Sequence, residues 1–303
     1  MEENITMYIN PYDYAEGKSG KWLRCNFHAH AGTGPGTCGS LGLYDVIDSY
    51  SASNYDVLMI SNHDIYTDTS RCANIAMIQG VEYSTHPHML TVGVREALTG
   101  THQEVIDKTR EMGGFVILCH PNWMRKNYLD EKSQERFYGY RGIEVLNPVI
   151  YRLSGSGFAC DVWDSLLSKG KLAYGFGNDD FHIWFDLGKS WNRIFSQSTD
   201  YEDIKDSVNA GCFYVSTGLD LDYLRLENDS IRVKAKYMRE TYVDEFDYAF
   251  IGANGKLLKR SRGKDALYTI SGNEMYIRVE VTSEEGFKLF SQPIYKQGLF
   301  SEP

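Results

Sequence analysis

No apolar run in the sequence approaches the roughly 20 residues that a helix needs to cross a bilayer, so no membrane span is expected. The opening residues, MEENITMYIN, lack both the basic start and the apolar stretch of a secretory signal, and a cytoplasmic location is expected. Positive charge is also short: 31 Lys and Arg stand against 41 Asp and Glu, a formal net charge of −10. Sequence-independent binding to DNA or to anionic lipid needs a basic face. Neither a nucleic-acid duplex nor a membrane is therefore expected as a partner. A small anionic substrate stays open, because local metal or arginine charge can outweigh the global balance. None of the six cysteines (Cys25, Cys38, Cys72, Cys119, Cys160 and Cys212) belongs to a C-x-x-C pair. Two of them, Cys25 and Cys119, lie inside apolar strand-like runs, so reduced thiols are expected, with no disulfide frame and no zinc finger. The glycine-rich run Gly32–Gly39 lacks the Gly-Lys-Ser/Thr ending of a phosphate-binding P-loop. No repeat or low-complexity segment stands out.

What is present suits a globular α/β protein. Hydrophobic residues make up 42% of the 303 and charged residues 24%, enough to bury a core. Short apolar runs occur at Leu23–Phe27, Val57–Ile60, Ala76–Val81, Met89–Val94, Phe115–Cys119, Ile143–Leu146 and Leu172–Phe176. Amphipathic helical patterns fall between several of them, at Leu43–Tyr50, Gln103–Met112 and Phe158–Leu167, with another at Tyr201–Asn209. This alternation predicts a largely parallel sheet, in a small barrel or an open form. After Gly218 the texture changes. Asp220–Lys236 and Tyr248–Leu258 read as strands, and Asn254-Gly255 reads as a hairpin turn. In Met275–Val281, Ile277, Val279 and Val281 alternate with Arg278 and Glu280, the pattern of a half-buried antiparallel strand. The expected division is residues 1–218 as an α/β domain and 219–303 as a small all-β domain.

The eight histidines carry the functional signal. His28 and His30 follow the first strand as His-Ala-His, His63 follows the second in Ser-Asn-His-Asp, and His120 closes the fifth in Leu-Cys-His-Pro. His182 ends Gly-Asn-Asp-Asp-Phe-His after the seventh, two residues beyond Asp180. Glu82 ends the third strand, with His86 and His88 close behind; Glu144 adds a further strand-end acid. His102 opens a helix and is expected at the surface. Residues two apart on a strand share a face, so His28 and His30 can bind one ion together. Ligand sites of parallel α/β folds gather at the carboxyl ends of strands. A single such histidine is readily explained as a cap or a buried hydrogen-bonding group. Metal-type side chains at six of seven strand ends are not. Imidazole mixed with carboxylate suits zinc, iron or manganese and suits calcium poorly.

In these residues, and in their order, the chain resembles the PHP (polymerase and histidinol phosphatase) family of metal-dependent phosphoesterases. His28-x-His30, the motif at His63, Gly-Val-Glu82, Cys-His120-Pro and Asp180-x-His182 resemble its successive motifs over residues 23–218. The resemblance implies a distorted (β/α)7 barrel with two or three divalent ions (zinc, manganese or iron). It implies His28, His30, Glu82 and Asp180 around a first ion. Glu82 would bridge to a second, completed by His88 and His120, with His86 the other candidate for His88's place. His63 and His182 would belong to a third. The loop after His30 holds neither the acid nor the histidine usual there, so a third ion would need a ligand from elsewhere, such as Asp64. The C-terminal segments Cys212–Gly218, Tyr276–Thr282 and Gln292–Tyr295 resemble a branch with an appended β domain, which includes carbamate hydrolases.

The expected activity is hydrolysis of a small phosphorylated substrate by a hydroxide held between metals. Carbamate, ester or amide hydrolysis at the same site and non-catalytic metal or carbohydrate binding are the alternatives. His63 or His182 would transfer a proton to the leaving oxygen, and Arg125, next to Lys126, would hold phosphate. Lys189 and Arg193 are further candidate cations, and Trp123, Phe181, Trp184, Phe185 and Trp191 either stack on a ring or pack the loops.

Overall fold

The computed structural model describes residues 7–72, 74–125, 128, 136–241 and 243–302. Its first part runs β1 (Tyr8–Ile9), β2 (Lys21–Asn26), α1 (Leu43–Ala52), β3 (Val57–Met59), β4 (Ala76–Ile78), β5 (Gly80–Tyr83), β6 (Met89–Val92), α2 (His102–Glu111) and β7 (Phe115–Leu118). It continues with β8 (Gly142–Leu146), α3 (Cys160–Ser168), β9 (Tyr174–Gly177), β10 (Trp191–Ser196), α4 (Tyr201–Ala210) and β11 (Phe213–Ser216). The helices begin and end close to their expected places. In α2 the Thr101 hydroxyl accepts from the Glu104 N–H while the Glu104 carboxylate accepts from Thr101, a reciprocal cap, and Val105, Ile106 and Thr109 form the buried face. No helix among the described residues is long and apolar enough to cross a membrane.

The strands are less uniformly parallel than the alternation predicts. β2, β3 and β4 run parallel, as do β7, β8 and β9. β6, however, is antiparallel to both β5 and β7. Only residues 84–88 separate β5 from β6, too few for the crossover that a parallel pair requires. The expected single strand Ala76–Val81 is divided at Gln79, its halves joining different sheets. β10 and β11 add antiparallel strands beside β2. The architecture is thus mixed α/β, with few helices and with hydrogen-bonded ladders in separate sheets. Two isolated parallel bridges, Ala29↔Phe181 and His63↔Glu82, link the five-stranded sheet β5–β9 to the sheet that holds β2 and β3.

Side chains from both sheets meet in one apolar cluster that includes Leu23, Phe27, Met59, Leu90, Phe115, Phe176 and Phe213. Phe115 and Phe213 lie 6.3 and 4.7 Å from Phe176 between ring centroids. Phe27 belongs to this cluster and directly precedes His28, so core packing fixes the strand end from which the first histidine projects.

From Leu219 the chain is antiparallel sheet, as expected. β12 (Leu219–Glu227), β13 (Ser230–Tyr237) and β16 (Ala266–Thr269) form a three-stranded sheet. β14 (Phe246–Gly252), β15 (Lys256–Gly263), β17 (Tyr276–Thr282), β18 (Lys288–Ser291) and β19 (Ile294–Lys296) continue the large sheet through pairing of β18 with β11. The Asn254-Gly255 turn is in place, with Asn254 at φ 58° and Gly255 at φ 69°.

The polar side of β17 differs from its expected half-exposure. Arg278 is only 1% exposed. Its Nε and Nη2 donate to the two carboxylate oxygens of Asp164 on α3 at 2.8 and 2.7 Å, and Tyr276 donates to the same carboxylate at 2.8 Å. Alternation marked two faces correctly, but the second is covered by α3 and not by water. Removing one partner of a buried pair leaves an uncompensated charge, which costs about 3–5 kcal/mol. Arg278→Ala is therefore expected to lower unfolding free energy by about that amount in chemical denaturation, and Arg278→Met with Asp164→Leu to lose less. A loss below about 1 kcal/mol, the size of a surface pair, would show that this contact does not hold the two parts together.

Candidate metal centre

Backbone pairing beyond the strand ends assembles the site. The Ala29↔Phe181 bridge is made by His30 N–H donating to Phe181 O at 2.8 Å and Phe181 N–H to His28 O at 3.4 Å. Ser61 N–H donates to Ala29 O at 2.8 Å, and Asp64 N–H to Glu82 O at 2.9 Å. Segments 28–30, 61–64, 82 and 180–182 therefore lie side by side.

Four buried atoms converge. Glu82 Oε2 lies 3.2 Å from both His28 Nε2 and His30 Nε2, and Asp180 Oδ1 lies 3.1 and 3.2 Å from the same two nitrogens. None of the four has a hydrogen-bond partner. An unpaired buried polar group costs about 1–3 kcal/mol, so four at one point call for a common partner. The edges of a tetrahedron with bonds of about 2.0 Å measure about 3.3 Å, so these separations fit one divalent cation of the zinc type. The other oxygen of Glu82, Oε1, lies 2.8 Å from His88 Nδ1 and 3.4 Å from His120 Nε2. Glu82 thus stands between two ligand sets with one oxygen turned to each. His63 Nδ1 also reaches Glu82 Oε2, at 3.2 Å. Burial would raise the carboxyls of Glu82 and Asp180, but the facing imidazoles, His28 first, hold both well below the ordinary carboxylate range.

A second layer fixes the imidazoles. Glu144 takes the Nδ1 side of His28 at 2.8 Å and also accepts from His120 N–H, Asn147 Nδ2 and Asn178 Nδ2 at 2.9, 2.8 and 2.9 Å. Its oxygens are saturated, and His28 Nε2 is left facing inward. The Tyr128 hydroxyl lies 2.8 Å from His120 Nδ1, and the Asp180 carbonyl lies 2.8 Å from His182 Nδ1. Outer partners of this kind set the tautomer and aim the free lone pair in metal sites. Asp179 faces away: its carboxylate accepts from Gly188, Lys189 and Ser190 N–H and from the hydroxyls of Tyr50 and Tyr55 at 2.6–3.0 Å. Asp180 and His120 have φ of 51° and 31°, uncommon for residues with a side chain and a mark of backbone strain held in place by its surroundings.

The structure brings together His28, His30, His63, Glu82, His88, His120, Asp180 and His182. His86 is not among the groups close to Glu82; it stacks on His88 at 5.1 Å and lines the cavity. His102 opens α2 as expected, with Nε2 2.9 Å from Pro87 O. Asp64 is taken up by the N–H and hydroxyl of Ser84 and is no ligand candidate. Cys38 was not singled out by sequence spacing, yet one ligand atom each from His30, Cys38, His63 and His182 lie within 4.8 Å of one another. Burial would raise the Cys38 thiol, but the neighbouring imidazoles of His182, His30 and His63 lower it to about 4.

A cavity of about 410 Å³ opens over this centre, with Arg125, Arg152 and Trp123 in its wall. The Arg125 guanidinium lies 4.9 Å from the Trp123 ring centroid. Lys126 lies outside the described residues. Arg193 instead pairs with Asp220 at 2.9 Å. Lys189, Tyr151, Phe158 and Phe185 line a neighbouring cavity of about 510 Å³, which shares Arg152 with the first. Phe181 and Trp191 pack in the core, whereas Trp184 and Phe185 are exposed. Arg152, Tyr128, Asn147 and Asn178 give no spacing signal in the sequence.

No family model and no curated protein matches the sequence at a significant level. Among solved structures, the fold is similar to that of a two-domain protein from Bacteroides vulgatus containing a predicted PHP-like metal-dependent phosphoesterase. The two share 14% identity, with 87% of this chain and 90% of that one covered and a TM-score of 0.51. Weaker likenesses are to the lesion-specific endonuclease Q of Pyrococcus furiosus (13% identity, TM-score 0.45) and to endonuclease Q in complex with a 27-mer duplex bearing an abasic lesion (11% identity, TM-score 0.47). Each covers 62% of this chain and 56% of the other. The duplex in that complex overturns the exclusion of a nucleic-acid duplex partner drawn from net charge, though at such similarity it supplies no argument for one. The chain has a mixed α/β fold like that of the two-domain PHP-like protein, with a histidine-rich, carboxylate-containing cluster suited to divalent metal.

Proposed function

We propose that this chain is a metal-dependent phosphoesterase acting on a small phosphorylated substrate. The observation that carries the reading is Glu82, with His28 and His30 at one oxygen and His88 and His120 at the other, beside the unpaired oxygen of Asp180. The likeness to a protein described as containing a PHP-like phosphoesterase supports it. We read β2, β3 and β5–β9, with the bridges Ala29↔Phe181 and His63↔Glu82, as the distorted seven-stranded barrel of that fold. Residues 1–218 form the hydrolase domain in this reading and 219–303 a β domain. The six unpaired cysteines support a cytoplasmic location.

His28, His30, Glu82 and Asp180 would hold one ion, and Glu82, His88 and His120 a second. Such ions supply Lewis acidity and lower the pKa of water toward neutrality. The protein's own groups do the rest. Glu144 and Tyr128 take the outer nitrogens of His28 and His120 and aim the inward ones. Arg125, at the cavity wall, offers a planar donor set to phosphate oxygens. His63 and His182 have 30% and 20% of their side chains exposed at the same cavity. They transfer a proton to the leaving oxygen when no third ion is held, or bind that ion.

Activity should be assayed on p-nitrophenyl phosphate, a phosphodiester, an ester, an aryl carbamate and an abasic-site duplex, before and after chelation and with manganese or zinc restored. The expected result is phosphate release that chelation abolishes and metal restores. Turnover of the carbamate or ester alone would reject phosphoester hydrolysis, and turnover of the duplex alone would reject a small substrate. His28→Ala with His30→Ala should remove both metal and turnover while far-ultraviolet circular dichroism is unchanged. Metal content equal to wild type would reject the ligand assignment. Arg125→Ala should raise KM for the phosphoester about tenfold, with kcat changed less, as for loss of a charged hydrogen bond. Glu144→Gln should weaken metal binding about 10–100-fold in chelator competition; unchanged affinity would make Glu144 a packing residue.

A further inference from the structure

The loop between β2 and α1 folds back over the strand ends and is fixed on both sides of Cys38. Ser40 donates from its N–H and its hydroxyl to the carbonyl of His182 at 2.9 and 2.7 Å. Gly39 lies against Ala31 so closely that a Cβ there would come within 2.6 Å of the Ala31 backbone. Gly32 N–H closes the loop onto Leu41 O at 2.6 Å. Glycine is thus required where the loop touches the segment that carries His30. The result is a third group of ligand atoms, from Cys38, His63, His182 and His30, all within 4.8 Å of one another. His30 is fully buried, and neither of its ring nitrogens has a hydrogen-bond partner; His63 Nδ1 has none either.

We propose that Cys38 ligates a third metal ion together with His63 and His182, giving the centre one site of thiolate–imidazole character beside two of carboxylate–imidazole character. The inference rests on reading the cluster as a metal centre. His30 keeps its Nε2 toward Glu82 and Asp180, where it belongs to the first ion, and closes the third site from within. On binding, the S–H bond is broken as the sulfur–metal bond forms, and the proton leaves to solvent. Asp64, which is bound to Ser84, is not needed. Cys38, His63 and His182 would supply three protein ligands, the number typical of catalytic zinc sites, and His63 and His182 also line the cavity. The ligand set also sets selectivity. Thiolate favours zinc or cobalt and disfavours magnesium and manganese, whereas the two carboxylate-containing sites are less discriminating.

The test is cobalt(II) titration of chelator-stripped protein, with metal per chain measured by elemental analysis and the thiolate-to-cobalt charge-transfer band followed in the near ultraviolet. Wild-type protein should take up three cobalt ions and show the band. Cys38→Ser, matched to wild type by circular dichroism in the stripped form, should take up one fewer and lose the band. Cys72→Ser should behave as wild type. Uptake by wild type without the band, or a Cys38→Ser protein with the full count, overturns the thiolate ligand while leaving the two-ion reading intact. No cobalt uptake by wild type at all overturns the metal centre itself, and this proposal with it.

Discussion

The site depends on the burial of Glu82. Five imidazoles, those of His28, His30, His63, His88 and His120, bring a nitrogen within 3.4 Å of its carboxylate oxygens. If all were neutral with lone pairs inward, they would repel the oxygens they face. If all were protonated, several positive charges would be confined in a space with almost no water, at a large desolvation cost. A divalent ion in each set would remove both difficulties, because the facing lone pairs of nitrogen and oxygen would then share a cation. This is why the cluster is better explained as a set of ligands than as a network of ion pairs.

Holding so many donors around one point requires support from outside. Glu144 receives four hydrogen bonds and offers none of its oxygens to the centre. Asp179 receives five from the opposite side and pins residues 188–190. Between these two saturated carboxylates the chain passes through Asp180 in a left-handed conformation. That conformation costs of order 1–3 kcal/mol, and the many fixed neighbours make it tolerable. The neighbouring acids Asp179 and Asp180 are therefore not interchangeable, since one anchors the loop and the other presents a free oxygen.

Much of this centre was legible in the sequence, because strand ends are marked by apolar runs and the next residues point into a shared mouth. His-Ala-His at 28–30, Glu82, His120 and Asp-Phe-His at 180–182 were found in that way, and the structure places them together. Long-range partners were not legible. Glu144 reads as one more strand-end acid, and only its four donors show that it serves the ligands. Cys38 lies in a glycine-rich loop with no periodicity, so nothing local shows that the loop returns to His182. The same limit applies to the fold. Alternation in β17 separated two faces, but whether α3 or water covers Arg278 depends on a contact between residues 164 and 278. The direction of β6 depended on connection length, which the apolar runs alone do not weigh.

Net charge is the instructive failure. A total of −10 was read as excluding a nucleic-acid duplex and an anionic membrane, but the total sums over a surface much wider than the screening length, about 8 Å at physiological ionic strength. A phosphate at the cavity would meet Arg125, Arg152 and any cations that the histidines hold. It is largely screened from acids on the far side of the β sheet. Arg152 is itself tied to Asp186 by two hydrogen bonds at 3.0 and 3.1 Å, so even the local sum is not a count of arginines. The sign of the field at the mouth follows from how many of the imidazole-rich sites carry an ion. An uncharged ligand such as imidazole leaves the whole charge of its ion to attract substrate, whereas a carboxylate or thiolate cancels part of it. A centre rich in histidine within an acidic protein is consistent on this view, because any attraction for an anion would be concentrated at the ions.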